Sequence, residues 1–376
     1  MHADETSIKV PRTIDGLDTV FCRLLQVALG VTQDFPYTPN EKEWQALFQM
    51  AKQQCVMGVA YNAIPKLPPE ARPPRQITIN WSAAAETMRG VNHLINQEAA
   101  HYTNFFAECG LRSAILKGAA NARLYPDPLS RQGGDIDIWV PGGRERLTNL
   151  LADKKIISGP KAIERISRHI GFQGENGIHI EVHFRAADIL RNAKEFQKLL
   201  NAELENTTLT PEGFYTPSIR FALIMQMEHL YSHCLLGGVG LKQYMDYFIL
   251  LTHSTEADRT FAWQQIQKFH LQHACAAIMS VLEKVFALPR KLMLCTPDPK
   301  RGMRLYKLTM SGGNFGRYNP DNVNRRFVLR RWLIDRVHAI QWLTFDPVDA
   351  ILHECHYWRN TFLLIPERIR RRKIAL

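Results

Sequence analysis

Acidic and apolar residues alternate along Gly133-Gly134-Asp135-Ile136-Asp137-Ile138-Trp139-Val140. Period-two alternation is the signature of a β-strand whose two faces meet different surroundings. Ile136 and Ile138 would face a core, while Asp135 and Asp137 share the opposite face. Two carboxylates held that close repel, and each raises the other's pKa unless a cation lies between them. Mg²⁺ suits such a place, because it is a hard ion that takes one or two carboxylates together with phosphate oxygens. A solvated strand end with two surface acids fits the same spacing, so the neighbouring segments have to decide.

Upstream, Ser113-Ala114-Ile115-Leu116-Lys117-Gly118-Ala119-Ala120 reads as a buried strand running into a small-residue turn. The following Asn121-Ala122-Arg123-Leu124-Tyr125 reads as the opening of a helix. A helix that begins at a glycine offers free backbone N–H groups and its positive dipole end to a phosphate. Downstream, Ile178-His179-Ile180-Glu181-Val182-His183-Phe184 alternates most cleanly of all. Its apolar set faces a core, and His179, Glu181 and His183 project from the other side. Glu181 is therefore a candidate third carboxylate from a neighbouring strand. Arg131, just before the glycines, carries a planar fork of donors suited to a phosphate oxygen.

These residues carry a family resemblance. The order strand, small-residue turn, helix, Asp-x-Asp strand, then a later strand with one acid resembles the polymerase-β-like nucleotidyltransferase superfamily. The segments Leu116-Lys117-Gly118-Ala119-Ala120, Leu124-Tyr125-Pro126-Asp127-Pro128, Arg131-Gln132-Gly133-Gly134-Asp135-Ile136-Asp137 and Glu181-Val182-His183 resemble a bacterial branch of largely uncharacterised nucleotidyltransferases. The likeness is tightest over residues 112–186. A further echo runs through His229-Leu230-Tyr231-Ser232-His233 and Leu241-Lys242-Gln243-Tyr244-Met245-Asp246. Where the superfamily usually has Gly-Gly or Gly-Ser in the turn, this chain has Gly118-Ala119. It thus lacks a hydroxyl there and keeps the backbone donors.

The resemblance implies an α/β (α+β) fold with a small mixed sheet of nucleotidyltransferase type, N-terminal helices and a C-terminal helical region. It implies Mg²⁺ (or Mn²⁺) held by Asp135, Asp137 and Glu181, with these three as the catalytic acids. Glu181 would either hold a second ion or serve as general base. It further implies a nucleoside triphosphate, ATP being the expected one, near Lys117, Gly118, Ala119, Arg131, His183 and Lys242. An acceptor hydroxyl on a small molecule, protein or RNA would take the nucleoside monophosphate, and pyrophosphate would leave. Two other classes stay open: a catalytically silent nucleotide-binding or partner-binding module on the same fold, and an RNA-binding toxin-like or antitoxin-like module.

The chain has 376 residues, 45% of them apolar and 22% charged, which describes an ordinary globular protein with room for a sizeable core. No run approaches the ~18 apolar residues of a membrane span. Met1-His2-Ala3-Asp4-Glu5 has no secretory character. Seven scattered cysteines without a Cys-x-x-Cys pair suggest a reducing cytoplasm and no zinc site. Sixteen Lys/Arg against six Asp/Glu from Lys300 onward carry a net +10 of the chain's +11. Asn324-Arg325-Arg326-Phe327, Leu329-Arg330-Arg331-Trp332 and the closing Arg368 to Lys373 run are either a footprint for RNA or an anionic surface, or a solvated basic helix face.

Helical spacing marks 16–62, a long helix over 79–109 stopped by Gly110, and a helix over 143–152. Gly174 to Gly177 joins 169–173 to the Glu181 strand as a hairpin. Further helical patterns cover 218–235, 241–253, 258–287 and 324–343, and 311–316 reads as a flexible loop. The expected organisation is 1–110 as an N-terminal helical segment, 111–216 as the α/β core, 217–298 as a helical region lining the cleft, and 299–376 as a basic helical region. His229 and His233, four apart on one helix, are either structural or line the cleft. Gly237 to Gly240 lacks the flanking features of a phosphate loop and reads as an interhelical turn.

Overall fold

The sheet that positions the acidic residues is small because few segments carry period-two alternation. The computed structural model describes residues 14–158, 167–187, 189, 191–236, 238–318, 336–337 and 342–370. Within them, four strands form one mixed sheet: β1 (Ala114–Ile115), β2 (Ile136–Trp139), β3 (His169–Gln173) and β4 (His179–His183), in the order β1-β2-β4-β3. β1 runs antiparallel to β2, β2 parallel to β4, and β3 antiparallel to β4. A separate pair, β5 (Thr207–Leu209) and β6 (Tyr215–Pro217), forms a short antiparallel ribbon.

One sheet face is apolar. Ile136, Ile138, Ile170, Phe172, Ile180 and Val182 are buried there with Ile95, Ala99, Tyr102 and Phe106 of helix α4 (Arg75–Glu108) and with Leu147 and Leu151 of α6 (Gly143–Asp153). Each large aliphatic buried contributes about 1.5–3 kcal/mol. A one-residue register slip would turn that whole set to the other face, so the core fixes which way the acids point.

Helix α4 starts directly after Pro73-Pro74, which cannot continue a helix backwards, and ends before Gly110 in the left-handed region at φ +69°. It begins four residues earlier than the apolar spacing predicts. At 34 residues it is roughly 50 Å long. Its buried stripe includes two polar residues, Asn92 and Glu98. Asn92 Nδ2 donates to the carbonyls of Leu129 and Arg131, both at 2.7 Å. The Glu98 carboxylate accepts from the backbone N–H of Asn176, at 2.6 Å, and from its side-chain amide, at 3.1 Å. One helix thus holds both the loop that leads into β2 and the turn that leads into β4.

The remaining helices make a larger core. α1 (Ile14–Ala28), α2 (Glu41–Gln53), α3 (Met57–Tyr61), α7 (Ala193–Glu203), α8 (Ile219–Leu236), α9 (Leu241–His253), α10 (Glu256–Lys268), α11 (Gln272–Phe286) and α12 (Pro299–Gly312) contribute to it. Trp342, Phe345 and Ala350, the last in α13 (Pro347–Arg370), join the same core. Residues 258–287, expected as one helix, are two. Phe269 and Leu271 both bury while His270 between them takes φ +61°, and Leu271 N–H donates back to Ile266. That turn closes α10 and starts α11.

The segment 311–316 is not a free loop. α12 runs through Gly312, and Asn314–Gly316 forms a further short turn. A Cβ on Gly313 would meet Gln53 O at 2.9 Å, and one on Gly240 would meet Asn314 Cα at 3.0 Å. These glycines permit close backbone approach rather than movement. Most of the expected helix over 324–343 and most of the basic C-terminal runs lie outside the described residues. Among the described residues no helix is long and apolar enough to cross a membrane.

Candidate active site

Gly133-Gly134 delivers Asp135 to the end of β2, and the two glycines do different things. A Cβ on Gly133 would fall 2.3 Å from Ile95 Cδ1 and 2.5 Å from Asn92 Oδ1, so this position is pressed against α4. Gly134 has open space around it. Asp135 is exposed, whereas Asp137 is 2% exposed.

In the parallel β2–β4 ladder Asp137 pairs with Glu181 and Trp139 with His183. Asp135, Asp137 and Glu181 each place a carboxylate oxygen within 4.8 Å of the others. The three sequence-predicted acids therefore converge on the polar face of the sheet, beside Gly118. The chain turns at that glycine with φ +67°, and a Cβ there would lie 3.7 Å from Asp135 O.

Two basic side chains also meet this cluster. Lys117 Nζ donates to Asp137 Oδ2. His183 Nε2 lies 3.0 Å from Asp137 Oδ1 and 3.3 Å from Glu181 Oε2. Burial by itself would raise the Asp137 pKa, but Lys117 and His183 outweigh it and hold the carboxyl well below its ordinary range. Glu181 is likewise lowered, burial being overcome by the His183 hydrogen bond. Lys117 shows the mirror image: burial acts to lower it, and the charges of Asp137, Asp135 and Glu181 raise it.

The oxygen-only donor set of Asp135, Asp137 and Glu181 matches what a hard divalent ion requires. These residues therefore fit Mg²⁺ or Mn²⁺.

Other expected site residues lie elsewhere. Arg131 is 6% exposed, and its fork is committed to Asp246: Nε to Oδ1 at 2.7 Å and Nη2 to Oδ2 at 2.6 Å. Tyr125 Oη donates to the same carboxylate at 2.7 Å. The expectation that Arg131 neutralises a phosphate is thus corrected: a buried Arg–Asp pair is costly to separate, at about 3–5 kcal/mol. The pair instead ties the glycine loop to α9. Asp246, from the second segment that echoes the family, is its partner.

The helix expected to open at Asn121 is a single turn, α5 (Ala119–Ala122). The N–H groups of Ala120, Asn121 and Ala122 donate to the carbonyls of Lys117 and Gly118. Asn121 and Gln226 exchange side-chain amide bonds at 2.8 and 2.9 Å, docking that turn on α8. Lys242 sits in α9, and burial with the nearby Arg131 charge lowers its pKa.

His229 and His233 bring their Nε2 atoms to 3.0 Å. Burial and the Lys117 charge hold His229 well below its ordinary value, and burial brings His233 to about 4. Both are neutral rings at pH 7. They line a cavity of about 280 Å³ together with Arg168, Arg191, Tyr231 and Ser232. The charges of Lys117 and Asp137 act on both rings.

Sequence reasoning did not find Asn92, Glu98, the Lys117–Asp137 pair or His169, whose Nδ1 is 3.5 Å from Glu181 Oε2. The first three depend on contacts far apart in the chain. His169 depends on the register across the hairpin.

Residues 40–287 match the family model described as an uncharacterised nucleotidyltransferase. No curated protein matches the chain. Among solved structures, an antigenic nucleotidyltransferase-like protein from Paracoccidioides brasiliensis is similar at 15% identity. The match covers 55% of this chain and 94% of that one, with a TM-score of 0.35.

Proposed function

The chain belongs to a family of uncharacterised nucleotidyltransferases, and from that premise we propose that it moves a nucleoside monophosphate, with ATP as donor, to an acceptor hydroxyl. Pyrophosphate is the leaving group. The observation that carries this reading is the approach of Asp135, Asp137 and Glu181 oxygens to within 4.8 Å of one another. A bound Mg²⁺ or Mn²⁺ would supply charge neutralisation at the phosphates and lower the acceptor's pKa.

Everything else falls to the chain's own side chains. Asp135 and Asp137 would hold the ion, and Asp137 keeps its charge at neutral pH because Lys117 and His183 stabilise it. Glu181 either completes the ion's oxygen set or accepts the proton of the attacking hydroxyl. Lys117 would balance phosphate charge, and the backbone at Gly118 and Ala119, beside Asp135, would meet phosphate oxygens. The cavity beside His229 and His233 receives the rest of the substrate pair. At about 280 Å³ it lies just below the roughly 300–1,000 Å³ of small-molecule sites, so a small acceptor suits it better than a folded polymer.

The test is incubation with each NTP labelled at the α-phosphate, Mg²⁺ or Mn²⁺, and fractionated host extract. Label appearing in one species, with pyrophosphate released, supports the reading; no labelled species with any NTP contradicts it. Glu181→Gln should lower the transfer rate more than nucleotide affinity, and equal rates would remove Glu181 from the chemistry.

A second reading follows from the Lys117–Asp137–His183 contacts, which neutralise the buried carboxylate without an ion. On that reading the protein binds nucleotide and does not turn it over. ATP binding unaffected by Asp135→Ala, without pyrophosphate release, would favour it.

A further inference from the structure

We propose that His169, Glu181 and His183 form a site for a divalent transition-metal ion of the Mn²⁺, Co²⁺ or Zn²⁺ class, which shares Glu181 with the all-oxygen Asp135–Asp137–Glu181 cluster and differs from it by two imidazole donors. One ligand atom from each of the three lies within 4.8 Å of the other two. The backbone produces this grouping directly. His169 pairs with His183 across the antiparallel β3–β4 ladder, and Glu181 lies two residues along β4 on the same face. The two imidazole centroids are 5.0 Å apart.

Two details of hydrogen bonding point to an ion. His183 Nδ1 lies 3.4 Å from the Arg185 carbonyl. Nε2 of the same ring lies 3.0 Å from Asp137 Oδ1 and 3.3 Å from Glu181 Oε2, and an ion bound there takes the place of the proton shared with these carboxylates. A histidine that ligates a metal characteristically donates its other ring N–H to such a carbonyl. On the opposite strand, His169 Nδ1 is buried and makes no hydrogen bond, although it lies 3.5 Å from the same Glu181 oxygen. A ligand shell at about 2.0–2.2 Å from the ion puts tetrahedral neighbours about 3.4 Å apart. The spacings of both rings to Glu181 Oε2 match that edge.

Two imidazoles and one carboxylate select borderline metals over Mg²⁺, which favours oxygen alone. Glu181 has two oxygens, so it can serve both groups at once. This inference does not depend on nucleotidyl transfer.

The experiment uses the full chain, freed of metal by chelation and dialysis, with no nucleotide present. Titration with Co²⁺ is followed by visible d–d absorption, and Zn²⁺ by calorimetry. One equivalent should bind with the band pattern of nitrogen and oxygen ligands. His169→Gln and His183→Gln should each weaken binding about tenfold or more, while Asp135→Asn and His233→Gln leave it within about twofold of wild type. His169 is partly exposed, so His169→Gln keeps the test valid if His183→Gln unfolds. Absence of the bands, sulfur-to-metal charge transfer, or unchanged affinity in His169→Gln overturns the proposal. Because no NTP is involved, a failure here leaves the transfer reading intact, and the reverse also holds.

Discussion

Asp137 stands directly opposite Glu181 in the parallel β2–β4 ladder, and His183 reaches both, at 3.0 and 3.3 Å. With Lys117 on its other oxygen, Asp137 has a protein partner on each carboxylate oxygen, whereas Asp135 is exposed at the end of the same strand. The two acids of the Asp-x-Asp run therefore differ in kind. One is fixed by the fold, and the other is presented to whatever enters.

That difference predicts two different variants. Asp135→Asn should leave stability within about 0.5 kcal/mol of wild type, as most surface changes do. Asp137→Asn should cost about 3–5 kcal/mol, because it leaves the Lys117 charge without its partner. Chemical denaturation of both proteins checks this. Equal stability would mean that the Lys117 pair is not formed.

Gly133 and Gly134 offer a paired test of the loop. Gly133→Ala forces a Cβ into Ile95 and Asn92 and should destabilise by about 1–3 kcal/mol. Gly134→Ala enters open space with an ordinary backbone and should be near neutral. Thermal melts compare them, and an equal loss in both would contradict the packing described.

Asn92→Ala strands the carbonyls of Leu129 and Arg131. Leaving buried acceptors unmade costs about 1–3 kcal/mol. Since those carbonyls lie just before the glycine loop, the variant should also lower transfer activity without touching substrate. Wild-type activity in a destabilised Asn92→Ala protein would separate the loop's position from function.

The Arg131–Asp246 pair carries a pH signature. Burial alone would raise the Asp246 pKa, but the Arg131 charge and hydrogen bonds hold it below 3.8. A depressed carboxylate contributes stability above its unfolded value that is lost as pH falls through the folded one. The stability difference between wild type and Asp246→Asn should thus be about 3–5 kcal/mol at pH 5–7 and shrink below pH 3.8. Urea unfolding across that range measures it, and a constant difference would contradict the ion pair.

The parts legible in the sequence are those with short-range periodicity. The Asp135–Asp137 strand, the hairpin before Glu181 and the long helix ending at Gly110 all follow from spacing and turn residues. The break at His270 was not legible, because no glycine or proline marks it and burial of Phe269 and Leu271 imposes the left-handed turn. Arg131 was read as a phosphate ligand, since its partner Asp246 lies 115 residues away. His169 escaped notice for a subtler reason. The ladder pairs Gln173 with His179, so five residues form the connection, and one fewer would turn His169 to the opposite face.

The most direct measurement is the rate of label transfer from α-phosphate-labelled ATP with Mg²⁺, for wild type against Asp135→Asn. Both proteins should first be shown to share the same unfolding midpoint. Loss of one ion-holding carboxylate should lower the rate by about 100-fold or more, in the range of other removed transition-state contacts. Transfer at the wild-type rate in Asp135→Asn would contradict the assignment of the acidic cluster as the reacting centre.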